Sequence, residues 1–316
     1  MKKLLKYDLS VMLHKKEFAV AFCMMMAFAV FSIYQAEKFL IILDNRMELD
    51  YNIAAPEWMT VFTPFLPAWQ VFTYLFAFLV VLPYSMSYLT ELESGMIPVL
   101  LTRVSKRKYC LSKALTCFIG NAVIISVPLL FNYFLCRLAF PTDLPNSIGT
   151  GGYCIPAFNA LLNGEAADGF LTCKYPIVPM LSLFLNHRRL YLLVHIGMIT
   201  LASGLAGMFL LFLSLFIGRY RALLFLPVFL LVRFSAMLQV NFMNAATQDF
   251  SKQYVSLSFM EYFHAIDVRI TSISPWYLPC LTVTGLLFCV LVFCLATRSD
   301  RMILNEGILR QYRKKK

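Results

Sequence analysis

The run ALTCFIGNAVIISVPLLFNYFLC, residues 114–136, carries no charged side chain over 23 positions and follows directly on the basic stretch Ser105-Lys106-Arg107-Lys108-Tyr109-Cys110-Leu111-Ser112-Lys113. A helix crossing the hydrocarbon core of a bilayer needs about 20 mostly apolar residues. This run meets that length, and five others resemble it: 18–36 (FAVAFCMMMAFAVFSIYQA), 70–88, 190–218, 222–240 and 278–297. Trp69 precedes the second run, and Trp276-Tyr277 leads into the last, as suits side chains at the headgroup level. The whole composition agrees. Of 316 residues, 60% are hydrophobic and 14% charged, with 29 Phe, 16 Met and 16 Tyr and a mean hydropathy of +0.70. Ordinary soluble domains hold about 45–50% apolar and about 25% charged residues. A water-soluble globule is excluded, because one core could not bury this much apolar surface. The expected architecture is an all-α integral membrane protein of six transmembrane helices.

Charge placement orients those helices. With both termini cytoplasmic, the inner side holds 19 of the 28 basic residues against six of the 17 acidic ones, a balance of +13 that leaves −2 elsewhere. The positive-inside rule therefore predicts an N-in/C-in chain, and an even number of spans agrees. The net charge of +11 thus reports topology and inner-surface chemistry, partly toward anionic lipid through Arg310, Arg313 and Lys314 to Lys316, with no call for nucleic acid. Five lysines precede the first span and no small-residue cleavage site follows it, so residues 1–17 are expected to remain, as an interfacial helix with Leu5, Leu9, Met12 and Leu13 near one face or as an ordinary charged flank.

Between the second and third runs lies the conspicuous cytoplasmic connection, Tyr88-Leu89-Thr90-Glu91-Leu92-Glu93-Ser94-Gly95-Met96-Ile97-Pro98-Val99-Leu100-Leu101-Thr102-Arg103-Val104-Ser105-Lys106-Arg107-Lys108-Tyr109. Met96, Ile97, Leu100 and Leu101 recur at helical spacing and bases follow, so the segment reads as amphipathic. Taken alone, Glu91 and Glu93 read as solvated carboxylates beside bases.

The same segment resembles the ABC-2 type permease family, the membrane subunits of type-2 ABC exporters. That family has an E-x-E-x-G element, an apolar pair, a Ser-Arg-like basic turn and a Lys opening the next helix; Glu91, Glu93, Gly95, Leu100-Leu101, Ser105, Arg107 and Lys113 fall on it. The family usually carries a Pro shortly before the Ser, whereas this chain has Arg103-Val104 there and Pro98 further back. Residues 185–191 and 214–221 also resemble the family's second half. The resemblance implies a single permease domain over residues 1–316, a coupling helix within 90–110 that docks on an ATPase subunit, and ATPase-coupling roles for Glu91, Glu93, Gly95, Leu100 and Arg107. It implies as partners a cytoplasmic ATP-binding cassette subunit and a second permease chain, homo- or heterodimeric, in the lipid bilayer of a cell membrane, a bacterial plasma membrane. No G-x-x-x-x-G-K-[ST] run occurs, so no cofactor is expected on this chain, and ATP and Mg belong to the partner.

Three segments are expected outside: 37–69, 137–189 and 241–277. The extracellular loop 137–189 is rich in Gly and Pro and holds Cys154 and Cys173, which could close a disulfide in an oxidising exterior or stay as thiols. The other seven cysteines sit in or beside spans and read as packing residues, and the four histidines show no metal-ligand spacing. A basic tail occupies 298–316. Within the spans, Arg233 could contact an anionic substrate or snorkel to the outer headgroups. Asn121, Asn132 and His195 could line a path or bond helix to helix, and Ser203-x-x-x-Gly207 suits close packing. No catalytic residue or metal site is expected. Two other functions compete with an exporter permease. An ATPase-linked peptide sensing or immunity component shares the loop motif; an intramembrane lipid-modifying enzyme would need acids that the spans lack.

Overall fold

The structure is a computed structural model that describes residues 2–47, 67–139, 183, 187–217, 224–246 and 277–298. Every described element is a helix or a turn between helices. In chain order they are α1 (Lys2–Leu13), α2 (Lys16–Met47), α3 (Pro67–Val81), α4 (Ser87–Ser94), α5 (Met96–Arg103), α6 (Lys106–Ala139), α7 (Arg188–Ile217), α8 (Phe225–Ala246) and α9 (Tyr277–Arg298). Among the described residues, three segments are long and apolar enough to cross a membrane, Lys16–Gln35, Lys106–Ala139 and Arg189–Leu215, and shorter apolar stretches run over Phe225–Phe234 and Thr282–Leu295. The chain has the character of an α-helical membrane protein. Most of the outer segments, with Cys154 and Cys173, and nearly all of the basic tail lie outside the described residues.

The second apolar run differs from expectation. It does not continue to Tyr88: α3 ends at Val81 after 15 residues, about 22 Å of helix, and residues 82–86 form a turn before α4. Pro83 explains the break, since it offers no N–H and its ring disfavours helical backbone at Leu82. Ser85 steadies the turn by donating from Oγ to the Val80 carbonyl at 3.1 Å. The first run differs in the other direction, for α2 continues past residue 36 to Met47, with Lys38 over the Tyr34 ring at 4.7 Å.

The α6–α7 pair is the most extensive helix packing; α2 and α1 also pack on α6, α9 on α7, and α8 on α3. Small residues set the approach. A Cβ at Gly207 would lie 2.1 Å from Asn121 Nδ2 and one at Gly204 2.6 Å from the Phe118 ring, so the backbone of α7 is pressed onto side chains of α6. Gly120 makes the same room on α6 for Met12 of α1, whose Sδ would stand 2.3 Å from an added Cβ. The small-x-x-x-small pair Ser203 and Gly207 is buried at this contact, as its spacing suggests.

Helix directions follow from side-chain pairs. Phe78 stacks on Phe225 at 4.0 Å while Tyr74 meets Arg233, so α3 and α8 run antiparallel. Phe209 pairs with Phe288 at 5.4 Å and Phe212 with Phe293 at 5.8 Å, so α7 and α9 run parallel.

Gly207→Val should lower thermal stability in detergent by about 1–3 kcal/mol through overpacking. Gly197→Ala, whose Cβ would meet nothing within 4 Å and which replaces a glycine inside a helix, should leave the melting temperature equal or higher. A thermal unfolding assay on both variants checks the contrast.

Candidate functional site

The segment 88–109 forms two short helices rather than one. α4 buries Tyr88, Leu89 and Leu92 and exposes Glu93 and Ser94. Gly95 ends it in the left-handed region at φ 72, ψ 20, its N–H reaching the Leu92 carbonyl at 3.2 Å, and the chain re-enters helix at Met96. A side chain there would strain the backbone by about 1–2 kcal/mol, which is why glycine suits this corner. Pro98 is third in α5, within the first turn, where the missing N–H has no helical acceptor to lose. Ile97 of α5 is buried, Leu100 and Leu101 are half-buried, and Met96 and Val99 stand exposed at 47% and 58%. Val104 is extended, and α6 begins two residues later.

Seven residues into α6, Lys113 is buried between two carboxylates. Its Nζ lies 2.8 Å from Asp8 Oδ1 of α1 and is ion-paired to Glu91 Oε1 of α4, with side-chain exposures of 4%, 2% and 17% for Lys113, Asp8 and Glu91. Lys113 also donates to the Tyr84 hydroxyl at 2.8 Å, and that hydroxyl donates to Asp8 Oδ1 at 3.2 Å. Ser112 Oγ donates to Asp8 Oδ2 at 2.5 Å, and Tyr109 donates to Glu91 Oε2 at 2.5 Å. The ammonium sits 5.1 Å and 5.6 Å from the Tyr84 and Tyr109 ring centroids, and Lys15 also stands over the Tyr84 ring at 5.0 Å. Each buried charge therefore has a counter-charge and a hydrogen bond, the condition for keeping ions out of water. The cluster ties α1, the 82–86 turn, α4 and α6 together at one end of the bundle.

The site residues expected from sequence divide. Glu91 faces inward onto Lys113, so it differs from a solvated carboxylate; Glu93 and Arg107 are exposed, and Leu100 packs partly against the core. Asn121, Asn132 and His195 are buried. Asn132 Nδ2 donates to the Ala29 carbonyl at 2.9 Å and to Ser32 Oγ at 2.7 Å, joining α6 to α2. Asn121 Nδ2 donates to the Cys117 carbonyl at 3.0 Å, and the His195 ring lies 5.4 Å from that of Tyr191. Arg233 is exposed on α8 and does not join these three: its guanidinium lies 5.4 Å over the Tyr74 ring and donates to the Tyr74 hydroxyl at 3.2 Å. Cys110, Cys117, Cys136 and Cys289 are buried, Cys23, Cys280 and Cys294 exposed, and all seven are free thiols.

Sequence reasoning missed Asp8, Tyr84 and Ser112, and it placed the face of α1 imperfectly. Leu13 is 56% exposed, whereas Asp8 is buried between Leu5, Leu9 and Met12 on the packed face. The reason is that α1 spends this face on α6, where Lys113 needs an anion, rather than on lipid. A signal existed: Asp8 is the only acid before Glu17 and shares helical phase with apolar residues. No family model, curated protein or solved structure matches this chain.

Lys113→Met leaves Asp8 and Glu91 facing each other without a cation, and it should destabilise the fold by about 3–5 kcal/mol. Combining it with Asp8→Asn should recover part of that loss, and Glu93→Gln should shift stability by less than about 0.5 kcal/mol. Chemical denaturation of these proteins, with Asp8→Asn alone to close the cycle, measures the coupling.

Proposed function

We propose that this chain is the permease subunit of an ABC transporter of the exporter type, coupled to ATP hydrolysis on a separate subunit through α4 and α5. The supporting observation is the two-sidedness of that helix pair. On the outward side Met96 and Val99 of α5 and Glu93 of α4 are each exposed, apolar and acidic groups of the kind a soluble partner covers. On the other, Glu91 is fastened to Lys113, and through it to α1 and the start of α6. A push on the exposed side is thereby carried into a long spanning helix by an ion pair rather than by a loose loop.

The reading includes six spans with both ends cytoplasmic. The antiparallel course of α3 with α8 and the parallel course of α7 with α9 are what strict alternation of six crossings requires of the second, fourth, fifth and sixth. α3, at 15 residues, is short for a full crossing and ends at the Pro83 turn. The partner ATPase binds ATP and Mg, and a second permease chain completes the path between copies.

Co-expression of the full chain with an ATP-binding cassette subunit tests the proposal. The two should co-purify, and Met96→Glu with Val99→Glu should reduce co-purification and permease-dependent ATPase stimulation by about tenfold, the loss of roughly 1.4 kcal/mol at an interface. The melting temperature of the isolated chain should not change, since both positions are exposed. Undiminished co-purification and stimulation in the double variant would reject docking through α5.

A further inference from the structure

Lys113 is met by more negative charge than one ammonium needs. Asp8 and Glu91 both pair with its Nζ, and they arrive on different elements, α1 and α4. A buried cation requires a counter-charge to stay out of water, and with two in place one can depart without stranding it. Which of them departs follows from how each is held.

Asp8 is the fixed partner. Its side chain is 2% exposed, and its oxygens accept from Lys113 at 2.8 Å, from Tyr84 at 3.2 Å and from Ser112 at 2.5 Å. Two of those donors stand on α6, and α1 packs on that helix with Met12 seated against Gly120. Glu91 is held by less. Besides its ion pair with Lys113 it accepts from the Tyr109 hydroxyl at 2.5 Å, and its side chain is 17% exposed, so water already reaches it. α4 packs on α5 and α7 and makes at most glancing backbone contact with α6. It is eight residues long, with the 82–86 turn before it and the left-handed Gly95 after it, and such terminal positions are where a short helix can pivot. When Glu91 leaves, the Tyr84 hydroxyl still accepts from Lys113 and donates to Asp8, so the ammonium keeps a hydrogen bond as well as a counter-charge.

We infer that the Glu91–Lys113 pair is a releasable clasp between α4 and α6, with Asp8 the permanent counter-charge that lets it open. Two carboxylates on one ammonium repel each other, so Asp8 lowers the hold of Lys113 on Glu91, and α1 thereby sets how readily α4 lets go. The clasp is a property of this chain alone. Its use rests on the permease reading, in which the closed clasp engages α4 with the long spanning helix and the open one disengages it.

Amide hydrogen exchange, read by mass spectrometry on the full chain in mild detergent with no ATPase present, tests the clasp apart from any docking through α5. Glu91→Gln keeps the shape of the side chain and removes its charge; it should raise exchange in α4 by about tenfold and leave α1 at its unmodified rate. Asp8→Asn should speed exchange in α1 by about tenfold, while α4 stays at least as protected as in the unmodified protein, since Lys113 then serves Glu91 alone. Tyr109→Phe removes only the second hydrogen bond to Glu91; it should move α4 in the same direction by a smaller factor, and it keeps the test open if Glu91→Gln fails to fold. A rigid cluster gives another pattern. Asp8→Asn loosening α4 as much as α1, or Glu91→Gln loosening both helices equally, overturns the proposal, as does α4 exchange unchanged in Tyr109→Phe.

Discussion

An ammonium buried at the foot of a long apolar helix must be met by carboxylates, and the end of this bundle is organised around that need. Lys113 lies on α6, but the groups that satisfy it come from α1, the turn after α3, and α4. Removing Asp8 or Glu91 takes a counter-charge from an ammonium cut off from water, and removing Tyr84 takes a hydrogen bond from it, so the four pieces are held as a unit. The tyrosines contribute twice over. Their hydroxyls bridge Lys113 to Asp8 and hold Glu91, and their rings present π faces to the ammonium. The N-terminal helix is therefore part of the packed structure, its basic side chains outward and its one acid inward.

Away from that cluster, the approach of the described helices is set largely by shape. Lipid tails are as apolar as the side chains they touch, so helices associate through close packing and occasional hydrogen bonds. Both devices are present. Gly204 and Gly207 bring α7 against α6, Gly120 admits Met12, and Asn132 crosses to Ser32 and the Ala29 carbonyl.

The loop that carries the family resemblance gains its meaning from position. Its two acids look alike in sequence, yet one is an internal ion-pair partner and the other faces outward. Gly95 produces that division: its left-handed backbone turns the chain between α4 and α5, so the two short helices do not share one continuous face. The bend leaves Met96 and Val99 outside while Ile97 stays within the core.

The sequence by itself determined the class and most of the helices, because hydrophobic length and charge placement are properties of each segment alone. The runs at 114–136, 190–218 and 278–297 coincide with α6, α7 and α9 to within the reach of their flanks. Turn chemistry was legible too, but only in part: Pro83 sat inside an otherwise uninterrupted apolar run, and its consequence, a break that delivers Tyr84 to Lys113, depends on what lies across from it. What only the tertiary structure decided is the pairing. Asp8 and Ser112 stand 104 positions apart, and nothing in the local pattern of either says that they meet. Likewise Arg233 was conspicuous as a lone charge in the fifth run, but its phenol partner Tyr74 arises from α3 and α8 packing against one another. Burial in a membrane is set by composition; the partner of a buried charge is set by which helices touch, and that is a property of the whole packed chain.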